Sequence, residues 1–150
     1  MNSLRRGPSC AMLFHEVNFM ARQQRELKYI ELKTGYQDDG PAWIGWALPS
    51  KSGKMLYFND HAFLRCIGIS GNYYDVETGD EYWISSVKKN GQDRHWAGNG
   101  KICVARDAVE AYLAATGSGE LDLKKFYVSE IPEQYPVERI NALMNGVEQN

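Results

Sequence analysis

Asn72-Tyr73-Tyr74-Asp75-Val76 and Glu81-Tyr82-Trp83-Ile84-Ser85, separated by Glu77-Thr78-Gly79-Asp80, decide the fold. Aromatic and β-branched side chains on both arms favour extended chain. Gly79 supplies the positive φ that a tight reversal needs. The two arms therefore read as a β-hairpin. Upstream, Trp43 to Leu48 and Lys54-Met55-Leu56-Tyr57-Phe58 flank Pro49-Ser50-Lys51-Ser52-Gly53 and form a second hairpin. Further upstream, Tyr29-Ile30-Glu31-Leu32-Lys33 alternates apolar and polar, which places Ile30 and Leu32 on one face of a half-buried strand. Downstream, Asn90-Gly91 is the strongest short turn signal in the chain. Gly98, Asn99 and Gly100 then lead into a strand over Lys101 to Ala105, read as the last of this antiparallel set.

Beyond Ala105 the period changes. Asp107 is placed to cap a helix over 108–115, with Glu110 in capping-box position and Gly117 as its stop. Asp122 caps a single turn through Lys125, and Phe126 to Ile131 reads as a strand. Pro136 opens a final helix with an apolar stripe of Val137, Ile140 and Leu143 or Met144. Strands first and helices last predict an α+β fold. Its form is a small curved antiparallel sheet or open SH3-like barrel followed by C-terminal helices. Residues 28–150 make one such domain. Residues 1–27 hold Gly7-Pro8 and no sustained period, and they read as a loosely ordered extension, with Met20 as an alternative start. Arg5 and Arg6 precede an apolar stretch, but His15 and Glu16 interrupt it too early for a signal peptide.

Composition limits the partners. The 150 residues include 17 basic and 19 acidic side chains, so a net charge of −2 gives no bulk attraction for nucleic acid or an anionic membrane. A nucleic-acid reading has to find a local basic face. No apolar run reaches the ~20 residues of a membrane-spanning helix. Cys10, Cys66 and Cys103 are odd in number and far apart, which suits free thiols in a reducing cytoplasm. Together with His15, His61 and His95 they lack metal-ligand spacing, so no metal and no cofactor is expected.

No GxGxxG, Walker loop, GxSxG or HExxH motif is present. The chemistry-bearing stretch is Lys88-Lys89-Asn90-Gly91-Gln92-Asp93-Arg94-His95-Trp96-Ala97-Gly98, which collects cations, a carboxylate, an imidazole and an indole in one turn region. It reads in two ways. Asp93 can orient His95 as a general base, or Asp93 can satisfy turn backbone while Arg94 pairs with an acid and Trp96 caps the core. The aromatic surplus points elsewhere. Trp43 and Gly45 share one face of their strand while Ile44 and Trp46 share the other, and a small antiparallel sheet has only one deep face. Some rings then face solvent, where they can stack on bases or grip a peptide beside cations.

The chain resembles a group of short uncharacterised bacterial proteins. The resemblance covers about residues 29–115 and rests on Gly35-Tyr36, Gly40-Pro41-Ala42-Trp43-Ile44-Gly45, Tyr57-Phe58-Asn59, Gly71-Asn72-Tyr73-Tyr74-Asp75, Glu81-Tyr82-Trp83 and Gly91-Gln92-Asp93-Arg94-His95-Trp96-Ala97-Gly98. It implies no activity. Such proteins sometimes carry a deoxyxylulose-phosphate synthase label, which this chain does not support. It has no Gly-Asp-Gly motif with a distant Asn to hold a thiamine diphosphate through magnesium.

The function expected is a small cytoplasmic, non-enzymatic binding module that contacts protein, peptide or single-stranded nucleic acid and no membrane. Its expected contacts are Arg94, His95, Trp96, Lys88 and Lys89, with Tyr73, Tyr74 and Trp83 from the adjoining hairpin. Two rival readings remain. One is a small hydrolase or nuclease using His95 and Asp93, assisted by Lys88 or Arg94. The other is an accessory protein of bacterial stress or phage conflict that works by contacting a larger partner.

Overall fold

Alternating side chains on short strands, joined by turns too tight for any crossover, leave the chain no choice but to pair with itself in sequence. The computed structural model describes residues 24–33, 39–94 and 98–149. In it β1 (Glu26–Leu32), β2 (Ala42–Pro49), β3 (Met55–Phe58), β4 (His61–Arg65), β5 (Tyr73–Asp75) and β6 (Glu81–Ser86) run up and down as antiparallel neighbours. β1 pairs with both β2 and β6, so the small barrel closes on itself. The fold begins before residue 28, because β1 starts at Glu26 and Arg25 already bonds Glu133. The extension expected upstream otherwise lies outside the described residues.

The barrel is filled by the inward positions of its own strands. Ile30, Ala47, Leu56, Phe58, Phe63, Tyr73, Tyr82 and Ile84 form one buried cluster. Each large side chain in such a cluster contributes about 1.5–3 kcal/mol by leaving water. Gly45 sits mid-strand for a steric reason: a Cβ there would come 2.6 Å from the Phe58 ring. Next to this glycine the outer edge of β2 changes partner, from β7 at Trp43 and Ile44 to β3 at Leu48 and Pro49.

β4 has no counterpart in the sequence reading. Phe58 faces His61 across a two-residue loop, Asn59-Asp60, whose φ values are +48° and +65°. Asn and Asp tolerate this left-handed backbone, so a hairpin forms with no glycine to announce it. The final helix then clamps the turn, with Arg139 donating to the Asp60 carbonyl at 2.8 Å and to its carboxylate at 3.0 Å.

β7 (Ile102–Ala105) corrects a second expectation. It pairs with β2 in parallel, and β8 (Phe126–Ser129) pairs with β7 in parallel. After β6 the chain crosses the outside of the barrel instead of reversing, so β7 arrives in the direction of β2. The helix that follows is α1 (Val109–Thr116), preceded by a 3-10 turn over Arg106–Ala108. Asp107 does not cap it; Ala108 holds the N-cap position with no side-chain bond. The Asp107 carboxyl meets Glu133 instead, and burial first, then that neighbour, pushes its pKa up. Gly117 does end the helix, at φ +70°.

α1 covers the outside of β1, β2 and β7 through Tyr112, packed with Tyr29, Ile44, Val104 and Phe126. α2 (Val137–Gln149) covers β3 and β4 by setting Ile140 against Tyr57 and Ala62. No helix among the described residues is long and apolar enough to cross a membrane.

Candidate anion-binding site

The crossing segment that follows β6 is held down by a buried polar network. Glu31 lies on the outer face of β1, only 2% exposed. It accepts a short hydrogen bond from the Tyr29 hydroxyl and one of 2.8 Å from the Lys33 ammonium. The Arg94 guanidinium approaches within 3.9 Å of the same carboxylate and donates to the Gly40 carbonyl at 2.9 Å. Asp93 accepts the Lys88 backbone N–H at 2.7 Å and a longer bond, 3.4 Å, from the Tyr112 hydroxyl. Burial, more than any neighbour, pushes the Asp93 carboxyl above its ordinary 3.8. The Tyr29 and Tyr112 phenols are pushed up as well, by burial first and then by the carboxylates they bond. Two carboxylates and two cations thus anchor the crossover in near neutrality, and this network is structural.

The expected contact residues do not form one surface. Tyr73 is buried inside the barrel, and Tyr74 is half-buried on the outer face of β5. Trp83 is exposed on β6 directly opposite Glu31. Lys88 and Lys89 are exposed just after β6. Arg94 is buried as described, with its side chain 8% exposed. His95 and Trp96 lie outside the described residues. Asp93 faces the interior and serves turn backbone, as the structural reading of that stretch expected.

What the crossover does create is a pocket of about 350 Å³ at the N-terminal ends of β7 and β8. Its cationic wall consists of Arg94, Lys101, Lys124 and Lys125, and no carboxylate among the described residues lines it. The sequence places these cations by a simple device. The parallel register sets Ile102 beside Phe126, and the Ile102 N–H bonds the Lys125 carbonyl at 2.9 Å. Lys101 and Lys125 therefore flank the start of one ladder. Asp122 fixes the preceding turn, accepting the Lys124 N–H on its side chain and the Lys125 and Phe126 N–H groups on its carbonyl. Gly91, Gly98 and Gly100 also line it, and Gly91 and Gly100 adopt φ values of +71° and +98°. Among the described residues Lys101, Lys124 and Lys125 make no ion pair. An adjoining hollow of about 140 Å³ carries Glu120 and Asp122, which bounds the positive region on that side.

Sequence reasoning missed Lys101, Lys124 and Lys125 as one group. The two segments lie more than twenty residues apart and meet only because β8 adds in parallel to β7.

It also missed a His–Asp pair at one mouth of the barrel. His61 Nδ1 lies 2.9 Å from Asp75 Oδ2, and the other Asp75 oxygen accepts the Glu77 and Thr78 N–H groups. Burial, with Asp75 and Asp80 nearby, pushes the neighbouring Tyr82 phenol up to about 12. The hollow between Trp43, His61, Phe63 and Tyr82 has a volume of about 20 Å³. That is space for a water molecule and for no substrate. No group of three His, Cys, Asp or Glu residues among the described residues is arranged to hold a metal.

Comparison with known proteins gives no matching family model, no matching curated protein and no matching solved structure. The functional reading therefore rests on the geometry of the pocket.

Proposed function

We propose that this protein is a non-enzymatic binding module, that its ligand surface is the lysine-lined pocket at the start of β7 and β8, and that its ligand is single-stranded nucleic acid. One observation carries the reading. Lys101, Lys124 and Lys125 converge on a cavity of about 350 Å³ and make no ion pair among the described residues. Like charges held together cost free energy in the isolated protein, and an anion offsets that cost. The volume lies within the roughly 300–1,000 Å³ typical of ligand sites. Glycine backbone in the lining lets a phosphate approach N–H groups closely.

Trp83 supports a nucleic acid over a free anion. Its exposed ring sits one strand away from Glu31, the carboxylate that Arg94 approaches. An exposed ring is a platform on which a base can stack. The hydrolase reading draws less support, because the Asp93 carboxylate is already engaged by the Lys88 N–H and the Tyr112 hydroxyl.

Fluorescence anisotropy with a labelled single-stranded oligonucleotide tests the proposal. Three lysine–phosphate contacts predict a log–log salt slope near −2, at about −0.7 per contact. Lys124→Glu with Lys125→Glu should flatten that slope and weaken binding at least tenfold. Affinity that ignores both salt and this double substitution would overturn the reading and favour a peptide ligand.

A further inference from the structure

The final helix leaves part of its apolar stripe half-covered. Val137, Ile140 and Met144 recur at helical spacing on one face of α2. Ile140 is fully buried against Tyr57 and Ala62, while Val137 and Met144 are only half-buried. The barrel offers Leu48, Met55 and Leu64 to the same space, and they are half-buried too. Register explains why these three meet. Leu48 lies opposite Tyr57 and Met55 opposite Leu64, so all of them share the outer face of the β2–β3–β4 meander. Helix and sheet together enclose a groove of about 720 Å³, lined by these five apolar side chains. Contiguous apolar surface of this kind marks a contact site, unlike single exposed residues.

The loop joining β2 to β3 supplies the charged part of the lining, Lys51 and Lys54. Both are exposed and make no ion pair among the described residues. No carboxylate among the described residues lines the groove. The loop satisfies its own backbone. Ser50 N–H bonds the Met55 carbonyl and Gly53 N–H bonds the Ser50 carbonyl, each at 2.9 Å. Met55 N–H bonds the Ser50 hydroxyl at 3.1 Å, and Lys54 N–H bonds the Ser52 hydroxyl at 3.3 Å. What the loop offers a ligand is therefore two ammonium groups. Tyr57 also lines the groove, 3% exposed, and its hydroxyl makes no hydrogen bond among the described residues. A phenol so deeply buried usually has a partner, and this one has a donor left for a ligand.

We propose that this groove binds a free fatty acid, with the alkyl chain along Leu48, Met55, Leu64, Val137 and Met144 and the carboxylate on Lys51 and Lys54. The chemistry follows from the lining. Apolar walls take an alkyl chain, and two methionines among them adapt to its shape. Two ammonium groups with no acid of their own suit a single carboxylate. An extended peptide needs backbone partners along its length, and the loop uses its own N–H groups internally. A single-chain amphiphile needs one polar anchor only. The volume lies within the roughly 300–1,000 Å³ of small-molecule sites. The groove shares no lining residue with the lysine pocket at β7 and β8.

The test is isothermal titration of the whole protein with sodium laurate, below the concentration at which laurate forms micelles. Binding should saturate at one laurate per chain. Octanoate should bind more weakly, by about two- to fourfold for each methylene removed. Lys51→Glu with Lys54→Glu should weaken laurate binding by about tenfold or more, through loss of the charge-assisted contacts. The thermal midpoint should not move, since both lysines are exposed. Met144→Glu keeps a good helix former and sets a carboxylate in the groove, so it should abolish binding. Lys124→Glu with Lys125→Glu, at the nucleic-acid pocket, should leave laurate binding unchanged, which keeps this result separate from that reading. Absence of saturable binding would overturn the proposal and assign the groove to an apolar segment of protein. So would equal laurate affinity in the wild type and both groove variants.

Discussion

The two ends of the barrel carry opposite charge and treat it differently. At one end Asp39, Asp60, Glu77 and Asp80 occupy the described connections, and Arg139 reaches over from α2 to bridge Asp60 and Glu77 at 3.0 Å each. At the other end Lys51 and Lys54 stand exposed and make no ion pair among the described residues. The same contrast recurs along the crossover. Asp93 and Arg94 are buried and matched by fold partners, whereas Lys101, Lys124 and Lys125 are grouped and unmatched. Charge that the fold neutralises is part of the scaffold. Charge that it gathers and leaves open is available to something else, and in this molecule that charge is positive in both places.

If the buried network is scaffold, removing Glu31 has the largest effect on the list. Glu31→Ala removes the buried carboxylate that Lys33 bonds and Arg94 approaches, and chemical denaturation should show a loss of about 3–5 kcal/mol. A loss below 1 kcal/mol would mean that the network is not closed as described. The pocket comes next. Lys124→Glu with Lys125→Glu should cost at least tenfold in oligonucleotide affinity while the unfolding midpoint moves little, because both lysines are exposed. A collapse in stability would transfer them to the scaffold side of the comparison.

A smaller effect has a distinctive sign. The folded-state pKa of Asp93 is raised above its unfolded value, so the native state holds that proton more tightly. Its contribution to stability is present at low pH and is lost as pH rises from the ordinary carboxylate range through the raised value. Denaturation midpoints measured from pH 3 upward should fall less steeply in Asp93→Asn than in the wild type. Equal slopes would locate the raised proton elsewhere, with Asp107 the next group to test. The smallest effect is expected at the acidic end. Arg139→Ala removes bridges that are about half exposed, and such pairs contribute little, so the denaturation midpoint should barely move.

Much of the fold was legible because local chemistry dictated it. Gly79, Gly53 and the alternating runs around them set two hairpins, and strand-first order set the class. β4 was hidden because its turn uses Asn59-Asp60 in a backbone that glycine usually advertises. The parallel placement of β7 was hidden because its direction depends on pairing with β2 across a long sequence gap, which no local signal encodes. Closure had a further consequence for the site. Alternation shows that Tyr73 and Tyr74 face opposite ways, but only the closed barrel shows that Tyr73 is the one inside. Trp83, Lys88 and Lys89 were singled out by residue type and do lie at the surface, yet on different parts of it. The lysines that converge were invisible as a group, since Lys101 and Lys124 become neighbours only through the β7–β8 ladder.

Hydrogen–deuterium exchange of the full chain, run with and without a single-stranded oligonucleotide, tests the central distinction directly. The account predicts slowed exchange at residues 98–102 and 124–126, with the buried network around Glu31 and Asp93 unchanged. No change at the pocket segments, or protection confined to other segments, would contradict it.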